Sequence, residues 1–365
     1  MTRHDWVVNS LNVYEQLDSW INSSDSYDNL QDYMSSRVIG QEDISLVCSN
    51  VFVYLKTIWR GLQPNNNMII TAPSGTGKTE TYRALKDYFK NNVPGLPIFL
   101  IDATQLTPSG YRGSNLEDMF APLLNGPYEE PPAIVFIDEF DKRLMPANAG
   151  IDSFNSAVQY NLLSIIEGGT ITDTNRRGER GRSINTSKIM FVGLGSFDAY
   201  RQEKKTKRGI GFTDVEMIDS YIELTAQTLL EAGATPELMG RFPFVLNYDR
   251  LNENTIRKII QKNIDEFSFL YDCDVRTEPA FIDRLLSLSD SPFGCRAIKN
   301  EIQNTLLNVY TKAMGKPHSD NEIILDVILD ENESFMWRDY TEEEKKILES
   351  LNIPDITPAK NESSN

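Results

Sequence analysis

Between residues 68 and 248, short apolar runs alternate with segments whose apolar positions recur at helical spacing. The runs are "MIIT" (68–71), "PIFLID" (97–102), "AIVFID" (133–138), "KIMFVGLG" (188–195) and "FPFVLNY" (242–248). Runs this apolar suit strands buried on both faces, and the alternation predicts an α/β fold around a central parallel sheet. Between them, "ETYRALKDYF" (80–89) and "SAVQYNLLSIIEGG" (156–169) read as helices, the second ending on a Gly-Gly stop. Upstream, Trp6, Val7, Leu11, Tyr14, Leu17, Trp20 and Ile21 follow near-helical spacing. Residues 1–30 are therefore expected to form an amphipathic segment, either packed on the main domain or serving as a docking element for a partner. After residue 250, "NENTIRKIIQKNIDEFSFLY" and "GCRAIKNEIQNTLLNVYTKAM" are amphipathic helices, followed by a strand-like "NEIILDVI". The expected organisation is a large domain over 31–249, a smaller, mainly helical domain over 250–330, and an acidic, disordered tail over 331–365.

Composition adds boundaries to this picture. The chain has 365 residues, 40% hydrophobic and 24% charged, enough for two domains with a sizeable core. A net charge of −17 argues against a broad nucleic-acid-binding face, which needs clustered Lys and Arg. Cys48, Cys273 and Cys295 are far apart, and His4 and His318 are the only histidines, so neither a disulfide framework nor a zinc site is readable. The acidic N-terminus lacks a signal core, and no apolar run reaches the roughly 18 residues of a membrane span. A cytoplasmic location is expected.

The chemistry concentrates in "TAPSGTGKTET" (71–81), which fits the phosphate-loop pattern G-x-x-x-x-G-K-[ST] except that Ala72 replaces the first glycine. Gly75 and Gly77 let the backbone curl so that successive N–H groups face one point. Lys78 adds charge near the β- and γ-phosphates, and Thr79 offers a hydroxyl to Mg²⁺. The loop joins a strand to a helix N-terminus, where an anion is favoured. Ala72 is tolerable provided its φ is negative. The cofactor-binding stretch is therefore Pro73, Ser74, Gly75, Thr76, Gly77, Lys78, Thr79 and Glu80. About sixty residues on, "AIVFIDEFDK" puts Asp138 and Glu139 at the carboxyl edge of a buried strand, where ligands of parallel sheets bind. Asp138 would hold Mg²⁺ and Glu139 would polarise the attacking water. The two segments together, a Walker A and Walker B pair, specify an ATP site.

These ordered motifs resemble the AAA+ ATPases, and within them the ClpX-type protein unfoldases, over about residues 30 to 330. "RVIGQE" (37–42) is similar to the family segment that contacts adenine, here Val38 and Ile39. "TPELMGRFP" (235–243) and "FGCRAIK" (293–299) resemble the segments bearing the arginine finger and sensor 2. The resemblance thus implies that Arg241 acts on a neighbouring subunit's site, that Arg296 touches the phosphates in cis, and that the chain forms a homo-hexamer. A guanidinium suits both roles because it is always charged and forks onto phosphate oxygens. The strand ending "FVGLGSF" lacks the usual sensor 1 Asn; Ser196 is the candidate there, with Gly193 and Gly195 permitting a tight turn.

Three further segments bear on what the energy does. In "SGYRG" (109–113) the resemblance makes Tyr111 a pore aromatic that grips polypeptide, with Arg112 where the family has an aliphatic residue. "RRGERGR" (176–182) lies where the family has a charged loop at the pore entrance, although the histidine of that loop is missing here. In "KKTKRGIGF" (204–212), Ile210, Gly211 and Phe212 fit the tripeptide that docks on a ClpP-type peptidase ring, although the segment is shorter than in the family. The family's N-terminal zinc domain has no counterpart, since no cysteine cluster exists. The expected function is an ATP-dependent unfoldase of protein substrates. The alternatives are a nucleic-acid motor or clamp loader, and a dedicated remodeller that meets no peptidase.

Overall fold

The computed structural model describes residues 12–106, 119–144, 152–174, 180–198, 223–271, 273–291, 294–314, 324–329, 334–338 and 346. The chain divides into two compact units, Met1–Asn252 and Glu253–Asn365.

In the first unit the five apolar runs form strands β1 (Met68–Thr71), β2 (Ile98–Asp102), β3 (Ala133–Asp138), β6 (Ile189–Gly195) and β7 (Phe244–Asn247). They pair in parallel in the order β2-β3-β6-β1-β7. Side-chain alternation sends Met68, Ile70, Ile134, Phe136, Met190 and Val192 into one core. Ile69, Val135, Ile137 and Phe191 enter a second core on the other face. Both faces are covered, which is why these strands read as unbroken apolar runs. A short antiparallel ribbon, β4 (Thr170–Thr174) and β5 (Arg180–Asn185), precedes β6. The second half of the arginine-rich stretch, expected as a loop, is therefore strand; Arg182 donates to the Tyr128 carbonyl at 3.0 Å. Residues 175–179 lie outside the described residues.

The helices on the first core are α1 (Val13–Ile21), α2 (Ser26–Arg37), α3 (Ile44–Trp59) and α4 (Lys78–Asn92). Asn12 starts α1 with a capping box: its side chain accepts from the N–H groups of Tyr14 and Glu15, while Glu15 accepts from the Asn12 N–H. Val13, Leu17, Trp20 and Leu30 are buried in the core, and Trp20 meets the edge of Phe89 with ring centroids 5.2 Å apart. Over residues 12–30, then, the apolar stripe is internal packing rather than a surface for a partner; Trp6, Val7 and Leu11 lie outside the described residues. On α3, the fully buried Tyr54 hydroxyl accepts the Ala133 N–H at 3.0 Å and lies 2.8 Å from the carbonyls of Ala133 and Lys188, at the starts of β3 and β6.

The second core is closed by α5 (Ala121–Leu124), α6 (Asp141–Leu144), α7 (Asp152–Ile166), α8 (Ala226–Glu231) and α9 (Pro236–Met239). Among the described residues, no helix is long and apolar enough to cross a membrane.

The second unit contains α10 (Glu253–Tyr271), α11 (Pro279–Ser287) and α12 (Cys295–Met314). Ile256, Ile260, Ile264 and Phe267 form the buried stripe of α10, and Ile298, Ile302, Leu306 and Val309 that of α12, both at helical spacing. The unit also holds a three-stranded sheet, β10 (Ser334–Arg338), β9 (Ile324–Leu329) and β8 (Cys273–Thr277). Two corrections follow. The alternating "CDVRT" was not anticipated as a strand, and "SFMWR", assigned to the acidic tail, pairs antiparallel with β9.

Candidate functional site

The carboxyl ends of β1, β3 and β6 lie side by side, because Thr71 pairs with Gly195 and Ile137 with Gly193. Three turns leave this edge: the phosphate loop after Thr71, the Glu139 turn after Asp138 and the Ser196 turn after Gly195.

In the first turn, Gly75 and Gly77 take φ values of 80° and 113°, a left-handed region that costs a side chain dearly. Ala72 stays outside that region; it is fully buried, and its N–H donates to the Gly195 carbonyl at 3.1 Å. Gly77 caps α4 and, having no side chain, puts no capping group on the N–H groups of the first helical turn. Those donors, on a helix N-terminus after two curled glycines, fit a phosphate. Lys78 Nζ donates to the carbonyls of Ala72 and Pro73, and the Thr76 hydroxyl donates to Pro73 at 2.8 Å. Val38 closes one flank: a Cβ on Gly77 would lie 3.3 Å from Val38 Cγ1. Ile39 beside it is half-buried. Glu80 is engaged by Arg37 at 2.8 Å.

Gln41 is a residue that sequence reasoning missed. Buried to 4% exposure, its amide donates to the Thr76 carbonyl at 3.0 Å and to Asp249 at 3.1 Å, and accepts the Asp249 N–H at 2.9 Å. It thereby fixes the phosphate loop to the segment after β7. Its position in "RVIGQE" was the available signal.

In the second turn, Asp138 accepts the Glu139 N–H at 3.0 Å, and Glu139 has φ of 54°. A non-glycine residue held there stores strain of about 1–3 kcal/mol, a pattern concentrated at functional sites. Partial burial, then the charges of Asp141 and Asp138, raise the Glu139 carboxyl above the usual carboxylate range, against the opposing pull of Lys142 and Lys78. Such a group is a better proton acceptor than an ordinary glutamate.

In the third turn, Phe197 is also left-handed, with φ of 51°. The fully buried Asp141 joins the second and third turns: one carboxylate oxygen lies 3.3 Å from the Phe197 N–H, the Ser196 hydroxyl and Lys142 Nζ. Its other oxygen has no hydrogen-bond partner among the described residues. Phe140 also ties the turns together, donating its N–H to the Leu194 carbonyl at 2.8 Å. The glycines of β6 do not make the tight turn expected of them. Both lie in the strand outside the left-handed region. A Cβ on Gly193 would come within 2.6 Å of the Phe140 ring, and one on Gly195 within 2.5 Å of Phe197. Glycine fits at both positions because the Phe140 and Phe197 rings occupy the space a Cβ would need.

Thr79 opens the first turn of α4 and Asp138 ends β3; a hydroxyl and a carboxylate are the oxygen donors that Mg²⁺ prefers. Arg241 follows α9, half-exposed, and both Nε and Nη2 donate to Glu167 Oε1, at 3.1 and 2.6 Å. Arg296 is exposed at the start of α12 in the second unit. Tyr111, Arg112, Ile210, Gly211 and Phe212 lie outside the described residues.

The geometry is matched by kinship. A family model described as "AAA domain (Cdc48 subfamily)" matches residues 63–245. A relative named "ATP-dependent Clp protease ATP-binding subunit ClpX 2", from Wolinella succinogenes, is 28% identical over 265 residues, covering 66% of this chain and 64% of that protein. The protein named "ATP-dependent Clp protease ATP-binding subunit ClpX" from Borrelia duttonii is 30% identical over 262 residues, 63% of this chain and 59% of its own length. The protein of the same name from Porphyromonas gingivalis is 29% identical over 326 residues, 79% and 78% of the two lengths. The chain thus spans less than two thirds of the length of the first two relatives.

Proposed function

Because the chain belongs to the AAA domain family, Cdc48 subfamily, we propose that it is the ATP-hydrolysing subunit of a hexameric ring that unfolds or remodels protein substrates. One observation carries the reading. A helix N-terminus without a capping side chain, behind two left-handed glycines, shares a sheet edge with a strained glutamate whose carboxyl titrates high.

In this reading the N–H groups of Gly75 to Thr79 and the Lys78 ammonium hold the β- and γ-phosphates. Val38 and Ile39 flank the base, and the resemblance at "FGCRAIK" assigns Arg296 a role toward the phosphates. Thr79 and Asp138 would hold Mg²⁺, which supplies charge neutralisation at the phosphate oxygens. Glu139 orients the attacking water and accepts its proton. Arg241 reaches the site of the adjacent subunit, where its fork stabilises charge on the transferred phosphoryl group. Tyr111, with Arg112 beside it, grips the threaded polypeptide. The names of the three relatives support a peptidase ring as partner, with Ile210, Gly211 and Phe212 as the docking tripeptide.

Replacing Glu139 with Gln keeps the shape and removes the base. Hydrolysis is expected to fall about 10²–10⁴-fold while ATP still binds; steady-state ATPase rates and nucleotide titration measure the two. Wild-type turnover in Glu139→Gln would reject the assignment. For the mechanical step, Tyr111→Ala is expected to leave ATPase activity largely intact and abolish unfolding of a tagged fluorescent substrate. Full unfolding by that variant would refute threading.

A further inference from the structure

Glu139 and Arg241 are far apart in sequence, yet the residues that follow them meet. Phe140 and Phe242 are both buried in the second core, with ring centroids 5.4 Å apart. A polar bridge runs parallel to this ring pair. Gln159 lies midway along α7 and is only 3% exposed. Its amide nitrogen donates to the carbonyl of Arg143, on α6 directly behind the Glu139 turn, at 3.0 Å. The same nitrogen donates to the Gly233 carbonyl at 3.2 Å, and its oxygen accepts the Thr235 N–H at 3.0 Å. Thr235 is the N-cap of α9, its hydroxyl accepting the Leu238 N–H at 3.3 Å, and the Arg241 N–H in turn donates to the Leu238 carbonyl. The step from the Glu139 turn to the segment carrying Arg241 is therefore a few hydrogen bonds long.

The fit of residue to role is tight. A carboxamide supplies two donors and an acceptor on one planar group, and all three are used. Glutamate at this position would set its carboxylate against two carbonyls, and leucine would leave the part-buried Thr235 N–H without its acceptor. The far ends of the bridge are also fixed. Arg143 donates to the carbonyls of Ala103 and Thr104, and the Asp141 carboxylate holds the Phe197 turn.

We infer that Gln159 is a positioning residue which, together with the Phe140–Phe242 pair, locks the orientation of the Arg241 segment to that of the Glu139 turn. This rests on the functional reading above, in which the two residues serve different ATP sites. A movement of the Glu139 turn in one site is then transmitted to the arginine presented to the next.

The test is a double-mutant cycle on steady-state ATPase kinetics of the full chain. Gln159→Leu is expected to lower kcat about ten- to a hundredfold, the cost of a misplaced catalytic group, with KM for ATP unchanged because Gln159 touches none of the phosphate-loop residues. In an Arg241→Ala background, Gln159→Leu is expected to cause no further loss, since both changes disable one unit. Phe242→Leu, which breaks the ring pair and leaves the amide in place, is expected to behave the same way and decides the matter should Gln159→Leu fail to fold. Multiplicative losses, an unchanged kcat, or a rise in KM with kcat held would each overturn the clamp. A wild-type chain without ATPase activity, or Arg241→Ala at full rate, would instead overturn the functional reading and this inference with it.

Discussion

Gly193→Ala is a one-methyl change whose cost can be worked from the structure. The new Cβ would lie 2.6 Å from Phe140 Cδ1, 3.0 Å from Cε1 and 3.1 Å from Cγ. Carbon–carbon contacts settle near 3.5–4.0 Å, so the ring must retreat by about an ångström. It has little room, being fully buried and backed by Phe242 at 5.4 Å. Overpacking of this kind costs about 1–3 kcal/mol. At about 2–4 °C per kcal/mol for a unit of this size, the midpoint should fall by about 4–8 °C for a loss near 2 kcal/mol. Because Phe140 adjoins Glu139, ATP hydrolysis should fall as well. Near-UV circular dichroism melts and ATPase rates read the two effects. Gly193→Ala combined with Phe140→Leu removes the obstructing ring and should recover part of the midpoint. Gly240→Ala is the stability control. Its nearest contacts would be 3.4 and 3.5 Å, and its φ is −61°, so it should be neutral or slightly stabilising. A Gly193→Ala protein that melts within about 1 °C of wild type and hydrolyses ATP at full rate would refute the reasoning.

Two other outcomes are expected. Tyr54→Phe removes the acceptor of the buried Ala133 N–H and should cost about 1–3 kcal/mol, read as a lower denaturant midpoint with no change in KM for ATP. The Cys48 thiol is pushed up to about 12 by burial. Since its folded value lies above the unfolded one, its contribution to stability is present below the unfolded value near 9 and is lost as pH rises toward 12. At pH 8 a thiol reagent should label the half-buried Cys295 in the native protein and reach Cys48 only on unfolding; rapid native labelling of Cys48 would contradict its placement.

The sheet and the phosphate loop were legible because their signals are local. A strand covered on both faces must be apolar throughout, and a loop that curls on glycine shows its glycines. The connectors were not legible, since each is one polar residue whose meaning depends on a distant partner. Gln41 serves Asp249, 208 positions away, and Gln159 serves Thr235, 76 away. Asp141 carries no local signal in the sequence, yet it is fully buried between two turns. Gly193 and Gly195 were legible as unusual but not for the right reason, because the rings that need their space come from other segments. The strands Cys273–Thr277 and Ser334–Arg338 were hidden by context: the first between long amphipathic helices, the second within an acidic stretch.

The Tyr54 hydroxyl has a consequence for how this sheet can move. It bonds at the amino ends of β3 and β6, opposite the edge where Glu139 and Phe197 sit in strained backbone. The two strands are thus pinned like blades at a rivet, with both stressed turns at the free tips. Any displacement set off in the phosphate loop is carried least at the rivet and most at the tips, where Glu139 sits.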